Sequence, residues 1–126
     1  MNGRYLFDTN AIIALLKGNF ELGNLTQESS WIGISVIAEV EFLSFSNLSP
    51  DDDALFKILK SRITVVSLDS LNIDLIQKII EIRRVFNVKL PDAIIAGSAI
   101  VEKSTLVTND HVFSKITGLK VKNFNL

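Results

Sequence analysis

The 126-residue chain contains no cysteine, and this absence removes a disulfide scaffold, a thiolate zinc site and a cysteine nucleophile. Histidine occurs once, at His111, so a His-rich zinc site is excluded and any Ser-His-Asp arrangement would depend on that residue. A metal bound here must therefore take mainly oxygen ligands, which favours Mg²⁺ or Mn²⁺ over Zn²⁺. Proline occurs only twice, and Pro50 and Pro91 each open a run of helical period. No apolar run approaches the ~20 residues of a membrane span. The first ten residues, MNGRYLFDTN, are interrupted by Asp8 before any signal-like core develops. With the lack of cysteine, this predicts a cytoplasmic protein. An excess of basic charge is also missing: the net charge is −1, which gives no global signature for nucleic acid. Four acids committed to a cation would, however, leave the remaining surface at +3.

What is present is core material. Hydrophobic residues make up 48% and charged residues 21%, enough for one domain over residues 1–126 and too apolar for disorder. Short apolar runs alternate with longer segments of helical period, the pattern of an α/β domain with a mostly parallel sheet. Strands are predicted at 4–7, 32–36, 63–67, 105–108 and 119–122. Helices are predicted at 9–17, stopped by Gly18, and at 37–46. Further helices run from Pro50 to about Ser61, from an Asp69 cap to Phe86, and from Pro91 to about Lys103, with a short one near 110–115. In the long fourth helix Leu71, Leu75, Ile79 and Ile82 recur at helical spacing.

Three acids fall at one edge of such a sheet. Asp8 follows the first strand and Asp110 follows the fourth, and strand C-termini form the edge where open α/β sheets place ligands. Asp92 begins the helix that leads back to the fourth strand, so it starts at the same edge. Either Glu39 or Glu41, on the helix after the second strand, supplies a fourth carboxylate. The two are about 200° apart around a helix, so only one faces the site, and the wheel does not choose. Gathered carboxylates raise one another's pKa, and a divalent cation resolves the conflict. The chemistry this predicts is metal-dependent phosphoryl hydrolysis or transfer.

Each acid also has a purely structural role open to it. Asp8 and Asp110 can cap the helices that follow them, and Asp92 can complement a helix dipole. Glu39 and Glu41 can be solvated helix residues. Arg83, Arg84 and Lys89 can position phosphate, or can simply favour the C-terminal end of the long helix. His111 reads as surface. Ser35, Ser44 and Ser46 lack a nearby histidine and receive no nucleophilic role, and Trp31, Phe42 and Phe45 read as core or a subunit contact. A receiver-like phosphoacceptor is disfavoured because the third strand ends in Val66–Ser67, with Asp69 arriving too late.

The motifs in order resemble those of PIN-domain ribonucleases of the VapC toxin type, across essentially the whole chain. They are LFDTNAIIALLKG with Asp8, ISVIAEVEF with a glutamate before a large apolar residue, LPDAIIAGSAI with Asp92, and LVTND with Asp110 followed by Phe113. The stretch EIRRVFNVK resembles the same group. The register of the second motif selects Glu41. Two positions depart from the pattern: Val112 stands where many relatives carry a further acid, and Ala38 where a small hydroxyl is frequent. The resemblance implies a three-layer α/β/α sandwich and Mg²⁺- or Mn²⁺-dependent cleavage of structured RNA such as tRNA or rRNA. It implies one or two ions held by Asp8, Glu41, Asp92 and Asp110, with Asn10 and Thr108 orienting the carboxylates. It also implies a VapB-like antitoxin partner and a homodimer. A catalytically weak or inactive PIN scaffold that binds RNA or protein is the alternative, kept open by Val112.

Overall fold

The computed structural model describes residues 3–126. Five short strands, β1 (Arg4–Phe7), β2 (Trp31–Ser35), β3 (Thr64–Val66), β4 (Thr105–Val107) and β5 (Val121–Lys122), form one sheet in the order β3-β2-β1-β4-β5. All four pairings are parallel, with Leu6 opposite both Gly33 and Leu106 at the centre. The chain walks outward from β1 through β2 to β3, then restarts on the other side with β4. The reversal of strand order therefore lies between β1 and β4, where a crevice opens beyond the strand ends.

Six helices cover the sheet: α1 (Thr9–Leu16), α2 (Phe20–Glu28), α3 (Val36–Leu43), α4 (Pro50–Lys60), α5 (Ile73–Phe86) and α6 (Leu90–Val101), with a 3₁₀ helix at His111–Lys115. Successive strand residues feed opposite faces, as a pleat requires. Leu6 and Leu106 enter a core shared with Leu75, Ile79 and Ile82 of α5 and with α6. Phe7 and Val107 enter the other core, with Ala11 and Ile12 of α1, Phe42 of α3 and Phe56 of α4. The result is the three-layer α/β/α sandwich expected from the sequence. Residues Ala93 to Ala99 of α6 are buried all round, so this helix runs through the interior rather than along the surface. Gly97 makes room for it: a Cβ there would stand 3.1 Å from Ile79 Cγ1 on α5. Among the described residues, no helix is long and apolar enough to cross a membrane.

The structure departs from the sequence reading at two elements. Between Gly18 and the second strand no element is predicted, yet α2 forms there. Only Leu22 of its residues is buried, and Gly23 interrupts it, so its apolar period is faint. The Asn19 side chain, which accepts from the Leu22 amide at 3.0 Å, is the cap that marks its start. The long helix also begins later than Asp69. Asp69 Oδ1 accepts from the Leu71 amide at 2.7 Å and closes a turn, and Asn72 then caps α5 through Leu75 at 3.2 Å. Leu71 is consequently 86% exposed and takes no part in the apolar stripe.

Helix α4 is fastened mainly by Phe56, which is fully buried and stacked on Phe42 at 5.0 Å between centroids. Phe56→Ala should destabilise the protein by about 3–5 kcal/mol. Lys57→Ala, which removes an exposed ion pair with Asp53 on the same helix, should cost no more than about 0.5 kcal/mol. Chemical denaturation of both variants checks the pair.

Candidate active site

Asp8 is the residue that follows β1, and the reversal of strand order leaves it facing the end of β4. It is only 5% exposed. Its Oδ1 accepts from the Ala11 amide at 2.8 Å, capping α1, and its Oδ2 accepts from the Thr108 hydroxyl. The same hydroxyl oxygen accepts from the Asp110 amide at 3.0 Å. One buried threonine thus links the carboxylate after β1 to the segment after β4. Asp110 Oδ1 in turn accepts from the Val112 amide at 3.0 Å and caps the 3₁₀ helix. Asp8 and Asp110 are helix caps, as their positions allow, and both also face the cleft. The two roles coexist because each carboxylate oxygen has more than one lone pair.

Helix α3 carries the two glutamates. Ser35 caps it by accepting from Ile37 at 3.2 Å, which fixes its rotation. Glu39 turns toward α4 and pairs with Lys60 at 2.7 Å. Glu41 turns the other way and accepts from the Thr9 hydroxyl at 2.6 Å. Asp92 lies in the first turn of α6, whose cap residue Lys89 offers no side-chain hydrogen bond.

Asp8, Glu41, Asp92 and Asp110 line one cleft of about 470 Å³, together with Asn10 and Thr9. Glu39 does not. Among the described residues, no ion pair engages any of the four acids. Burial pushes the Asp8 carboxyl above its ordinary range, and the hydrogen bonds from Thr108 and Ala11 oppose it. The nearby Asp110 and Glu41 charges push it higher still. Burial also raises Asp92, followed by the charges of Asp110 and Glu41, while Lys89 acts in the opposite direction. An all-oxygen donor set under mutual repulsion, eased only at Asp92 by Lys89 and with no ion pair to any of the four among the described residues, suits a hard divalent ion. As the side chains stand, no three of the described His, Asp and Glu residues converge closely enough to hold one ion.

The remaining sequence candidates are dispersed. None of Arg83, Arg84 and Lys89 lines the cleft. Lys89 is near enough to act on Asp92, whereas Arg83 donates to the Val88 carbonyl at 3.2 Å and braces the α5–α6 turn. Arg84 lies on the outer face of α5, beside Gln77 and Ile80. His111 is exposed and outside the cleft. A larger groove of about 570 Å³ opens at the other edge of the sheet, but Arg62 is its one charged lining residue and it holds no carboxylate. Sequence reasoning missed Thr9 and Ser44, both of which line the acidic cleft. For Thr9 the available signal was a hydroxyl in the first turn after Asp8. For Ser44 it was the shared helix face with Glu41, three residues before it, on a helix starting near Val36.

The PIN domain family profile matches residues 5–119. No curated protein sequence matches the chain. Among solved structures, VapBC2 from Rickettsia felis bound to a fragment of promoter DNA superimposes with a TM-score of 0.80 at 24% identity, over 96% of this chain and 98% of that one. A toxin–antitoxin complex from Klebsiella pneumoniae gives 0.73 at 25% identity, over 91% and 94%. DNA-bound VapBC from Salmonella typhimurium gives 0.71 at 24% identity, over 97% and 98%. With the profile spanning nearly the whole chain, and the sheet order and helical layers in agreement with it, this protein belongs to the PIN domain family.

Proposed function

We propose that this chain is a divalent-metal-dependent endoribonuclease, the VapC-like toxin of a toxin–antitoxin pair. The observation that carries the reading is the gathering of Asp8, Glu41, Asp92 and Asp110 in one cleft, none of them in an ion pair among the described residues. Family membership and the structural likeness to VapBC complexes support it. The four carboxylates would hold one or two Mg²⁺ or Mn²⁺ ions. When bound, the metal supplies a Lewis acid that lowers the pKa of water and offsets negative charge developing on the phosphodiester. The protein's own part is to hold the carboxylates ready. Thr108 keeps Asp8 and Asp110 in a fixed relation, Thr9 steers Glu41, and Asn10 offers a further polar group at the rim. Lys89, beside Asp92, is the cation best placed to meet substrate phosphate; Arg83 and Arg84 can contribute only farther along the strand. In-line attack by water would leave a 5′-phosphate and a 3′-hydroxyl on the RNA, with tRNA or rRNA as the target class. A VapB-like antitoxin and a homodimeric state complete the proposal.

RNA cleavage should require Mg²⁺ or Mn²⁺ and stop in excess EDTA; undiminished cleavage in EDTA would falsify the mechanism. Glu41→Gln should reduce cleavage by more than the 10–100-fold that is typical of losing an outer-shell partner, so by over about 100-fold. Glu39→Gln should leave cleavage near wild type and loosen only the Lys60 ion pair. A dead Glu39→Gln beside an active Glu41→Gln would reverse the assignment.

Asp92 gives a second test, through stability. Its folded pKa lies above the ordinary value of about 3.9. Between the two values the native state binds more protons than the unfolded state, so stability of the metal-free protein falls as pH rises through that window. As a first-turn acid Asp92 also gives its helix about 0.3–1 kcal/mol, in the opposite direction. Burial and repulsion together should win. Asp92→Asn should then melt higher than wild type in EDTA at neutral pH, lose cleavage, and gain less from added Mn²⁺. Melts across acid to neutral pH, with EDTA and with Mn²⁺, decide the matter. A variant that melts lower yet gains as much from Mn²⁺ identifies Asp92 as a helix-terminal acid only.

A further inference from the structure

The segment that carries Asp110 is held by the C-terminal end of the chain, through two asparagines that the site itself does not use. Thr108 continues the β4–β5 pairing for one residue, its amide donating to the Lys122 carbonyl at 3.0 Å. Beyond that point the backbones diverge and side chains take over. Asn109 mimics a peptide group: its Nδ2 donates to the Phe124 carbonyl at 2.9 Å and its Oδ1 accepts from the Phe124 amide at 2.9 Å. Asn123 Nδ2 donates to the Thr108 carbonyl at 2.7 Å. The tail is fixed in its turn, since Phe124 is buried in the core beside α1 and α2. Asn125 is held at the same corner, its carbonyl by Asn19 at 2.7 Å and its amide by Glu21 at 3.0 Å.

We propose that Asn109 and Asn123 are positioning residues that clamp the Thr108–Asp110 segment to the C-terminal tail and so set the Asp110 carboxylate against Asp8. The proposal rests on the metal-site reading above. Its physical basis is that Asp110 is the one acid of the four supplied by an irregular segment after a three-residue strand. Asp8, Glu41 and Asp92 each sit on or at the start of an α-helix. A carboxylate on such a segment is repelled by its neighbours and would swing outward unless the backbone on its N-terminal side were fixed. The Thr108 hydroxyl bridges Asp8 and the Asp110 amide only while the Thr108 backbone is held, and three side-chain bonds from Asn109 and Asn123 hold it and its neighbour against the tail.

The test uses the full chain with Asn109→Ala and Asn123→Ala, and with Ile79→Val as a control that weakens the opposite core without touching the clamp. Mn²⁺ affinity is measured by calorimetry on metal-free protein, the Mn²⁺ dependence of RNA cleavage by titration, and exchange of the Asp110 amide hydrogen by NMR. Both asparagine variants should bind Mn²⁺ about tenfold more weakly, at the lower end of the effect of losing an outer-shell partner. Their half-saturating Mn²⁺ concentration should rise by the same factor, with cleavage recovering at saturating metal, and the Asp110 amide should exchange faster. Ile79→Val should lower the melting temperature and leave all three unchanged. Mn²⁺ affinity and Asp110 exchange that match wild type in both asparagine variants, or that move equally in the control, overturn the clamp. If the wild-type protein neither binds Mn²⁺ nor cleaves RNA, the functional reading itself fails. Asp110 exchange, which needs no metal, then still shows whether the two asparagines hold the segment.

Discussion

Four carboxylates held in one cleft repel one another, and much of the structure around the strand ends answers that repulsion. Asp8 is buried and Asp92 half-buried, which adds a desolvation cost to the mutual charge, and no lysine or arginine is close enough to pair with any of the four. Left to themselves, such side chains would rotate into water. The protein restrains three of them, Asp8, Glu41 and Asp110, with hydrogen bonds from neutral donors: the Ala11 and Val112 amides and the Thr9 and Thr108 hydroxyls. Neutral donors hold a carboxylate in place without cancelling its charge. A cation arriving from solvent therefore meets a site whose negative potential is intact.

The sheet makes this arrangement achievable. Because all five strands are parallel and the order reverses between β1 and β4, the two central strands both end at the same crevice. The distance from Asp8 to the segment after β4 is fixed by strand pairing, and a single hydroxyl spans it. Helices α1, α3 and α6 then bring their N-terminal halves or flanks to the same edge. α3 does so by a choice of rotation: with Ser35 as its cap and Phe42 in the core, Glu39 is sent to Lys60 and Glu41 to the cleft. The surface charges away from the cleft, including Arg84, obey no comparable constraint.

The last strand and tail belong to the same system. β5 is only two residues long and contributes little pairing of its own. Its value lies in the tail beyond it, where Asn109, Asn123 and the buried Phe124 continue the attachment past the end of regular structure. Asn19 has two duties at the far end of that path, capping α2 and holding the Asn125 carbonyl. The α1–α2 corner, the tail and the Asp110 segment are thereby joined in one run of hydrogen bonds.

The strands, five of the six helices and the sheet edge bearing Asp8, Asp92 and Asp110 were legible in the sequence. β-branched runs and 3.6-residue periodicity reflect burial that each segment imposes on its own residues, and a residue directly after a strand inherits the strand's end as its address. The short helix α2 was not legible, because a segment burying one leucine leaves almost no period to read. The start of α5 was misplaced because Asp69 and Asn72 are both competent caps, and only the turn closed by Leu71 decides between them. The wheel alone could not separate Glu39 from Glu41, since their outcome depends on Lys60 and Thr9, which are 21 and 32 residues away in the chain. The sequence by itself therefore determined every element but α2, with the start of α5 misplaced, and the identities of the acids. The local amides that cap through Asp8 and Asp110 follow from the sequence as well, but the tertiary structure alone decided how the acids are held against one another, because the Thr9 and Thr108 hydroxyls and the two asparagines bond to segments that meet them only when the sheet is formed.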